Sequence, residues 1–155
     1  MKTSTTSNAH YVHLAIMTGL SFISMYVLMY AMVNSFENVF TNLNQFYMAA
    51  LMTAPMIIIE LSVMRAMYHN KRLNVVISGA ATVALIGCFL LIRQQAAISD
   101  KEFLKSMIPH HAGALLMCEQ ASLREPETKA LCESIRASQQ AEIDQMKVML
   151  RALAK

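Results

Sequence analysis

The sequence predicts an all-α chain: three transmembrane helices followed by an antiparallel helical hairpin that stays out of the lipid. Three observations carry this. Of the 155 residues, 55% are apolar and only 15% charged, against a usual quarter. The charge is lopsided: residues 1–92 hold six charges (Lys2, Glu37, Glu60, Arg65, Lys71 and Arg72), while residues 93–155 hold the other seventeen, nine basic and eight acidic. The tail contains two amphipathic stretches separated by Arg124-Glu125-Pro126-Glu127, a break short enough to turn one helix back on another. Four Gly, three Pro and three Cys exclude a collagen-like, low-complexity or disulfide-dense chain. A net charge of +3, dispersed, gives no reason to expect nucleic acid as a partner.

The membrane region is read as residues 14–93. Residues 14–33 are an apolar run of twenty without a charge, which as a helix spans about 30 Å, the thickness of bilayer hydrocarbon. Residues 46–68 form a second run, carrying Glu60 and Arg65, and residues 74–92 an uncharged third. Lipid requires backbone groups to pair within the segment, so each run is a helix. The first is too long for a signal-peptide core and no small-x-small site follows, so it reads as a retained anchor. Ahead of it lies a tail, 1–13, with 1–9 expected to be disordered. Lys71 and Arg72 place the second connection in the cytoplasm, and the first connection has no Lys or Arg. The tail 1–13 is then cytoplasmic and the C-terminal hairpin extracytoplasmic, which in a Gram-negative cell means the periplasm beyond the inner membrane.

Fourteen Met is an unusual count. Met48, Met52, Met56, Glu60 and Met64 follow at four-residue steps on the second run, and Met25, Met29 and Met32 line the first. Such steps make one helix stripe. Met is a pliable filler of helix seams, and it is also a soft ligand for Cu(I) or Ag(I). Glu60 lies within a span, where a carboxyl costs roughly 2.5–3.5 kcal/mol. It is held by an inter-helix hydrogen bond, with Ser21, Ser24, Tyr26 and Tyr30 as candidate partners, or it serves an ion or proton.

Residues 99–155 read as the hairpin. Ser99 with Glu102 is a capping box, and Pro126 suits the first position of the second helix. Folding the chain near residue 125 puts Cys118 level with Cys132, His111 with Gln139, and Met107 with Ile143, with Met146 one turn beyond. The cysteine pair forms a disulfide, a soft-metal thiolate pair or two buried thiols. Cys88 is a small apolar residue of the third span.

Met107-Ile108-Pro109-His110-His111 is the informative string. Pro109 frees the Lys105 carbonyl and bends the helix. Ala112, Gly113 and Ala114 let another element approach closely. Thioether with imidazole suits copper, above all Cu(I); a hydrogen-bonded interface element fits the same residues. Glu-x-x-His and His-Glu-x-x-His are absent, so di-iron and zinc-protease readings lack their ligands.

The run Phe103-Leu104-Lys105-Ser106-Met107-Ile108-Pro109-His110-His111-Ala112-Gly113-Ala114-Leu115-Leu116-Met117, with Ala130-Leu131, Ile135, Gln139, Glu142-Ile143 and Met146, resembles the bacterial "domain of unknown function 305" family. The front of the chain, including Met67-Tyr68 and Asn70-Lys71-Arg72-Leu73-Asn74, is similar to a three-span anchored subgroup. The resemblance implies a ferritin-like helical fold, and for some members periplasmic copper binding in metal tolerance. It makes Met107, His110, His111, Met117 and Met146 the candidate metal ligands, with Gln139 and Glu142 behind them. Soluble members usually carry two hairpins and this chain has one, half of a four-helix bundle. A lone hairpin cannot bury its apolar face, so a homodimer or higher oligomer is expected.

No nucleophile–base pair, phosphate-cradling Gly loop or dinucleotide fingerprint is present, so no enzyme is expected. The expectation is a membrane-anchored periplasmic protein that sequesters or hands over Cu(I) or Ag(I). The alternative is a structural subunit of a membrane complex, with a membrane-protein partner and no metal role.

Overall fold

In the computed structural model the chain is all-α. The structure describes residues 2–153, with side chains from residue 9 on; Met1, Ala154 and Lys155, the extreme ends of the expected tail and hairpin, lie outside the described residues. The described residues form five α-helices: α1 Lys2–Leu28, α2 Leu43–Val63, α3 Lys71–Arg93, α4 Asp100–Gln120 and α5 Pro126–Ala152. Two short 3-10 helices, Met29–Met32 and Phe36–Asn38, lie between α1 and α2. The chain divides into two compact units, residues 1–28 with 46–96, and residues 29–45 with 97–155.

Among the described residues three helical segments are long and apolar enough to cross a membrane, Ala9–Met32, Leu43–Val63 and Lys71–Arg93, and most of each lies in the first unit. Helix α1 starts at Lys2, so residues 2–9 of the stretch expected to be disordered are helical. The packed stripe of α2 is Ala49, Thr53, Ile57 and Leu61, four residues apart, with Ala49, Thr53 and Leu61 buried. Thr53 returns its hydroxyl proton to the Ala49 carbonyl at 2.7 Å and lies 3.6 Å from the Met25 sulfur. The methionine stripe is one residue away, about 100° around the helix. Met48, Met52 and Met64 are exposed and Met56 is half-buried.

Glu60 sits differently from the sequence expectation. Helix α2 stops at Val63, so Glu60 falls in its last turn and not in mid-span. It accepts a hydrogen bond from Tyr68 at 3.2 Å, a residue of the following connection. A carboxyl near a helix end reaches water and partners more cheaply than one at the centre. The same connection is stitched by Tyr11 to Asn74 Oδ1 (2.7 Å), Asn74 Nδ2 to the Tyr68 carbonyl (2.8 Å), and Asn70, whose side chain caps α3 at Leu73 N–H. Helix α3 ends with Gln95 in the left-handed region (φ 49°), and Gln95 and Ala96 N–H return to the Ile92 and Leu91 carbonyls. This satisfies carbonyls that the helix end leaves open.

The second unit is the hairpin of α4 and α5, with residues 29–45 laid against it. Leu104, Ile108, Ala112, Leu115, Ile143 and Met146 form its core, and Val33, Phe40, Met107 and Leu150 pack around them. The first connection therefore supplies part of the cover that a lone hairpin lacks. Gly113 is where it comes closest: a Cβ there would lie 3.5 Å from the Met32 carbonyl oxygen. The Lys105 carbonyl, which Pro109 leaves without its helical donor, has Asn42 Nδ2 at 3.5 Å. Asn44 donates to Ser106 at 3.3 Å.

Ser99 caps α4 by accepting from Glu102 N–H, as the sequence suggests. The reciprocal half of the capping box is absent. The Glu102 carboxylate instead accepts from Leu43 N–H (3.0 Å) and Lys105 Nζ (3.0 Å), tying α4 to the start of α2. Burial alone would raise the Glu102 carboxyl, but the hydrogen bonds from Lys105 and Leu43 and the charges of Lys105 and Lys101 hold it below its ordinary 4.5. A carboxylate lowered in the fold stabilises it fully above the unfolded value and loses that contribution as pH falls through the folded value. Protection of the Leu43 amide from hydrogen exchange is thus expected to hold at neutral pH and fall below pH 4.5. Glu102→Gln should remove that dependence; a wild-type protection factor flat with pH would contradict it.

Candidate functional site

The site is built on α4 where Pro109 interrupts its hydrogen bonding. Successive side chains there turn by about 100°, so His110 and His111 face different surroundings. His111 is 7% exposed and points toward α5. Its Nδ1–H donates to the Met107 carbonyl at 2.9 Å, and its Nε2 edge meets Glu142 Oε2 at 2.6 Å. Glu142 is steadied by the Ser138 hydroxyl, which donates to Oε1 at 2.9 Å. Ser138 first and His111 second hold the Glu142 carboxyl below its ordinary value. Ser138 was missed by sequence reasoning, although its four-residue spacing from Glu142 was a visible signal.

His111 pairs with Glu142, one turn along α5 from the Gln139 expected. Helical side chains lean toward the helix N-terminus. In an antiparallel pair the two partners therefore lean toward each other, and contact falls at a higher summed position than level backbones suggest. The Glu119–Arg136 ion pair at 3.8 Å is offset in the same direction. Gln139 itself is half-buried on α5.

The other candidates divide between two surroundings. Met146 is buried in the hairpin core, and Met107 is half-buried against it. His110 and Met117 are exposed on α4, seven residues apart. The His110 and His111 rings lie 5.9 Å apart, centre to centre, at 63°. The five candidate ligands thus do not converge on one point in this structure. Both ring nitrogens of His111 face oxygen atoms, while His110 offers its ring to solvent. Among the described residues no three of His, Cys, Asp and Glu gather as a metal site.

Cys118 and Cys132 are joined by a disulfide with 5.5 Å between Cα atoms. It closes the hairpin at the end away from the core. Cys88, in α3, is a free thiol.

The family model described as "Domain of unknown function (DUF305)" matches residues 89–150, which are the end of α3 and the hairpin. An uncharacterized protein of Acanthamoeba polyphaga mimivirus is 34% identical over 119 residues, covering 76% of each chain. The chain belongs to the DUF305 family. The alignment with the viral relative is longer than the DUF305 domain, so the likeness extends outside it. No solved structure matches. The clasped His111, the exposed His110 and the disulfide all fall within the DUF305 match.

Proposed function

We propose that this DUF305 protein is a membrane-anchored copper-binding protein whose hairpin sequesters Cu(I) or Ag(I), or hands it on, outside the cytoplasm. The observation that carries the reading is the exposed His110 with Met107 one turn before it and Met117 two turns after it on α4. Neutral imidazole and thioether are the soft donor pair that favours Cu(I). His110 and Met107 hold the ion, and Met117 extends the donors along the helix toward a recipient. His111 takes part only by releasing Glu142 or the Met107 carbonyl. Until then it keeps α4 and α5 together, with Glu142 fixing the ring as outer partners of metal-binding histidines do. Met146 contributes from the core side and Gln139 from α5.

The disulfide fits an oxidising compartment, and three spans with Lys71 and Arg72 inside give the same orientation. A bacterial inner membrane with the hairpin in the periplasm meets both conditions. Exposed Phe103, Leu131, Val148, Met149 and Leu153 on the hairpin support self-association as part of the proposal.

The test is a Cu(I) titration of the full-length protein in detergent against a competing chelator, with particle mass read on the same samples. The full chain is needed because residues 29–45 cover the hairpin core. Submicromolar binding is expected in the wild type. A Met107→Ala/His110→Ala/Met117→Ala variant should bind at least roughly 10–100-fold more weakly, the range seen when even outer partners of a metal are removed. Equal, weak binding by both rejects the metal reading.

One observation favours a second reading, an assembly subunit without metal. The His111–Glu142 contact is complete as it stands and needs no ion. In that case the triple variant would keep both its copper behaviour and its particle mass.

A further inference from the structure

We propose that the hollow between the first connection and the end of α5 binds a phospholipid head group that carries both a phosphate and a primary ammonium. The hollow has a volume of about 500 Å³ and is lined by Glu37, Phe40, Lys147, Leu150 and Arg151. Lys147 and Arg151 are four residues apart and so share one face of α5. Among the described residues none of Glu37, Lys147 and Arg151 takes part in an ion pair. Two cations and one carboxylate therefore line a single recess while remaining unspent on each other.

The chemistry of the wall defines the ligand. Two cations, one a forked guanidinium, suit a phosphate. Glu37 suits an ammonium with N–H donors, and it repels a purely anionic head group. A trimethylammonium group, having no N–H, would gain only the weaker charge attraction. Phe40 and Leu150 offer apolar surface to the glycerol end of a lipid. This combination is spare in a site for a small soluble anion.

Chain connectivity explains why the ligand comes from a membrane. Glu37 lies five residues after the candidate span Ala9–Met32 and six before Leu43–Val63. Even an extended chain covers only about 3.3–3.6 Å per residue, and the helical turn Phe36–Asn38 shortens the path. Phe36, beside Glu37, is 90% exposed, so an apolar ring projects from the same short connection. This site shares no residue with the copper reading and stands or falls without it.

The experiment is native mass spectrometry of the full-length protein in detergent, with phosphatidylethanolamine, phosphatidylglycerol or phosphatidylcholine added at equal concentration. Phosphatidylethanolamine should be retained most. A Lys147→Gln/Arg151→Gln variant should lose roughly 25-fold in retention, at about fivefold per surface cation. Glu37→Gln should keep lipid but lose the preference for the ethanolamine head. These residues are exposed or half-exposed, and a helical circular-dichroism spectrum equal to wild type keeps each comparison valid. The proposal is overturned if the double variant retains phosphatidylethanolamine as wild type does, or if phosphatidylglycerol is held as strongly. It is also overturned if water-soluble phosphoethanolamine binds as tightly as the lipid, which would make the ligand a free phosphate ester.

Discussion

Ile143→Ala is expected to destabilise the hairpin by about 2–5 kcal/mol, the range for removing a buried branched side chain and leaving a cavity. Among the described residues Ile143 and Ile108 are the largest fully buried side chains. Ile143 and Met146 bring α5 into a core whose other members come from α4: Leu104, Ile108, Ala112 and Leu115. The site cannot collapse easily, because Val33 and Phe40 close it from the first connection. Hydrogen exchange in detergent reads the effect: protection of core amides in α4 and α5 should fall by roughly thirtyfold at the low end of that range. Val148→Ala, at a position 64% exposed, should change stability by no more than about 0.5 kcal/mol. Similar losses in the two variants would mean that α4 and α5 are not held by this core. The same variant also tests the site indirectly, since His111 and Glu142 bridge the helices one residue away from Ile143 and should part when the core loosens.

Much of the architecture is visible in the sequence because its signals are local and strong. Charge-free runs of about twenty residues have few alternatives to a spanning helix. Ser99 and Pro126 mark helix starts through bonds made within one turn. The level of Cys118 with Cys132 follows from the position of the break alone, and the structure joins them. What is not visible depends on partners distant in the chain. Asn42 answers a carbonyl 63 residues away, and Glu102 answers an amide 59 residues away. Neither spacing carries a period, so residues 29–33 read as the end of the first span and residues 34–45 as a plain connection, and their role as a cover was not seen. The end of α2 was misplaced because Met64, Met67 and Tyr68 continue the apolar composition after the helix has stopped; Tyr68 is buried in the connection instead. The site was legible as a set of residue types and not as a geometry. Adjacent histidines had to diverge, but only the lean of helical side chains decides that His111 meets Glu142 rather than Gln139.

Breaking the Cys118–Cys132 bond is expected to cost about 3 kcal/mol, because the two cysteines are 14 residues apart and a loop of that size restricts the unfolded chain by about that much. The effect should concentrate at one end of the hairpin. Buried core positions run from Leu104 to Leu115 on α4 and include Ile143 and Met146 on α5. Beyond them toward the turn, Met117 and Leu131 are 59% and 60% exposed, so little apolar burial holds the helices there. The Glu119–Arg136 pair is an exposed contact at 3.8 Å, a type worth at most about 1 kcal/mol. Urea unfolding in detergent, with and without a phosphine reductant, should therefore show a lower midpoint after reduction. A Cys118→Ser/Cys132→Ser variant should match the reduced wild type and ignore the reductant. Amides near the turn should lose more protection than those around Ile108. If reduction leaves both midpoint and exchange unchanged, the covalent link contributes nothing and the turn end is held by contacts alone. The same chemistry bears on location: in intact cells the pair should resist maleimide labelling until a reductant is added, since thiols stay reduced in the cytoplasm and disulfides persist outside it. Immediate labelling of both cysteines in unreduced samples would place the hairpin on the cytoplasmic side and remove the extracytoplasmic setting on which metal capture depends.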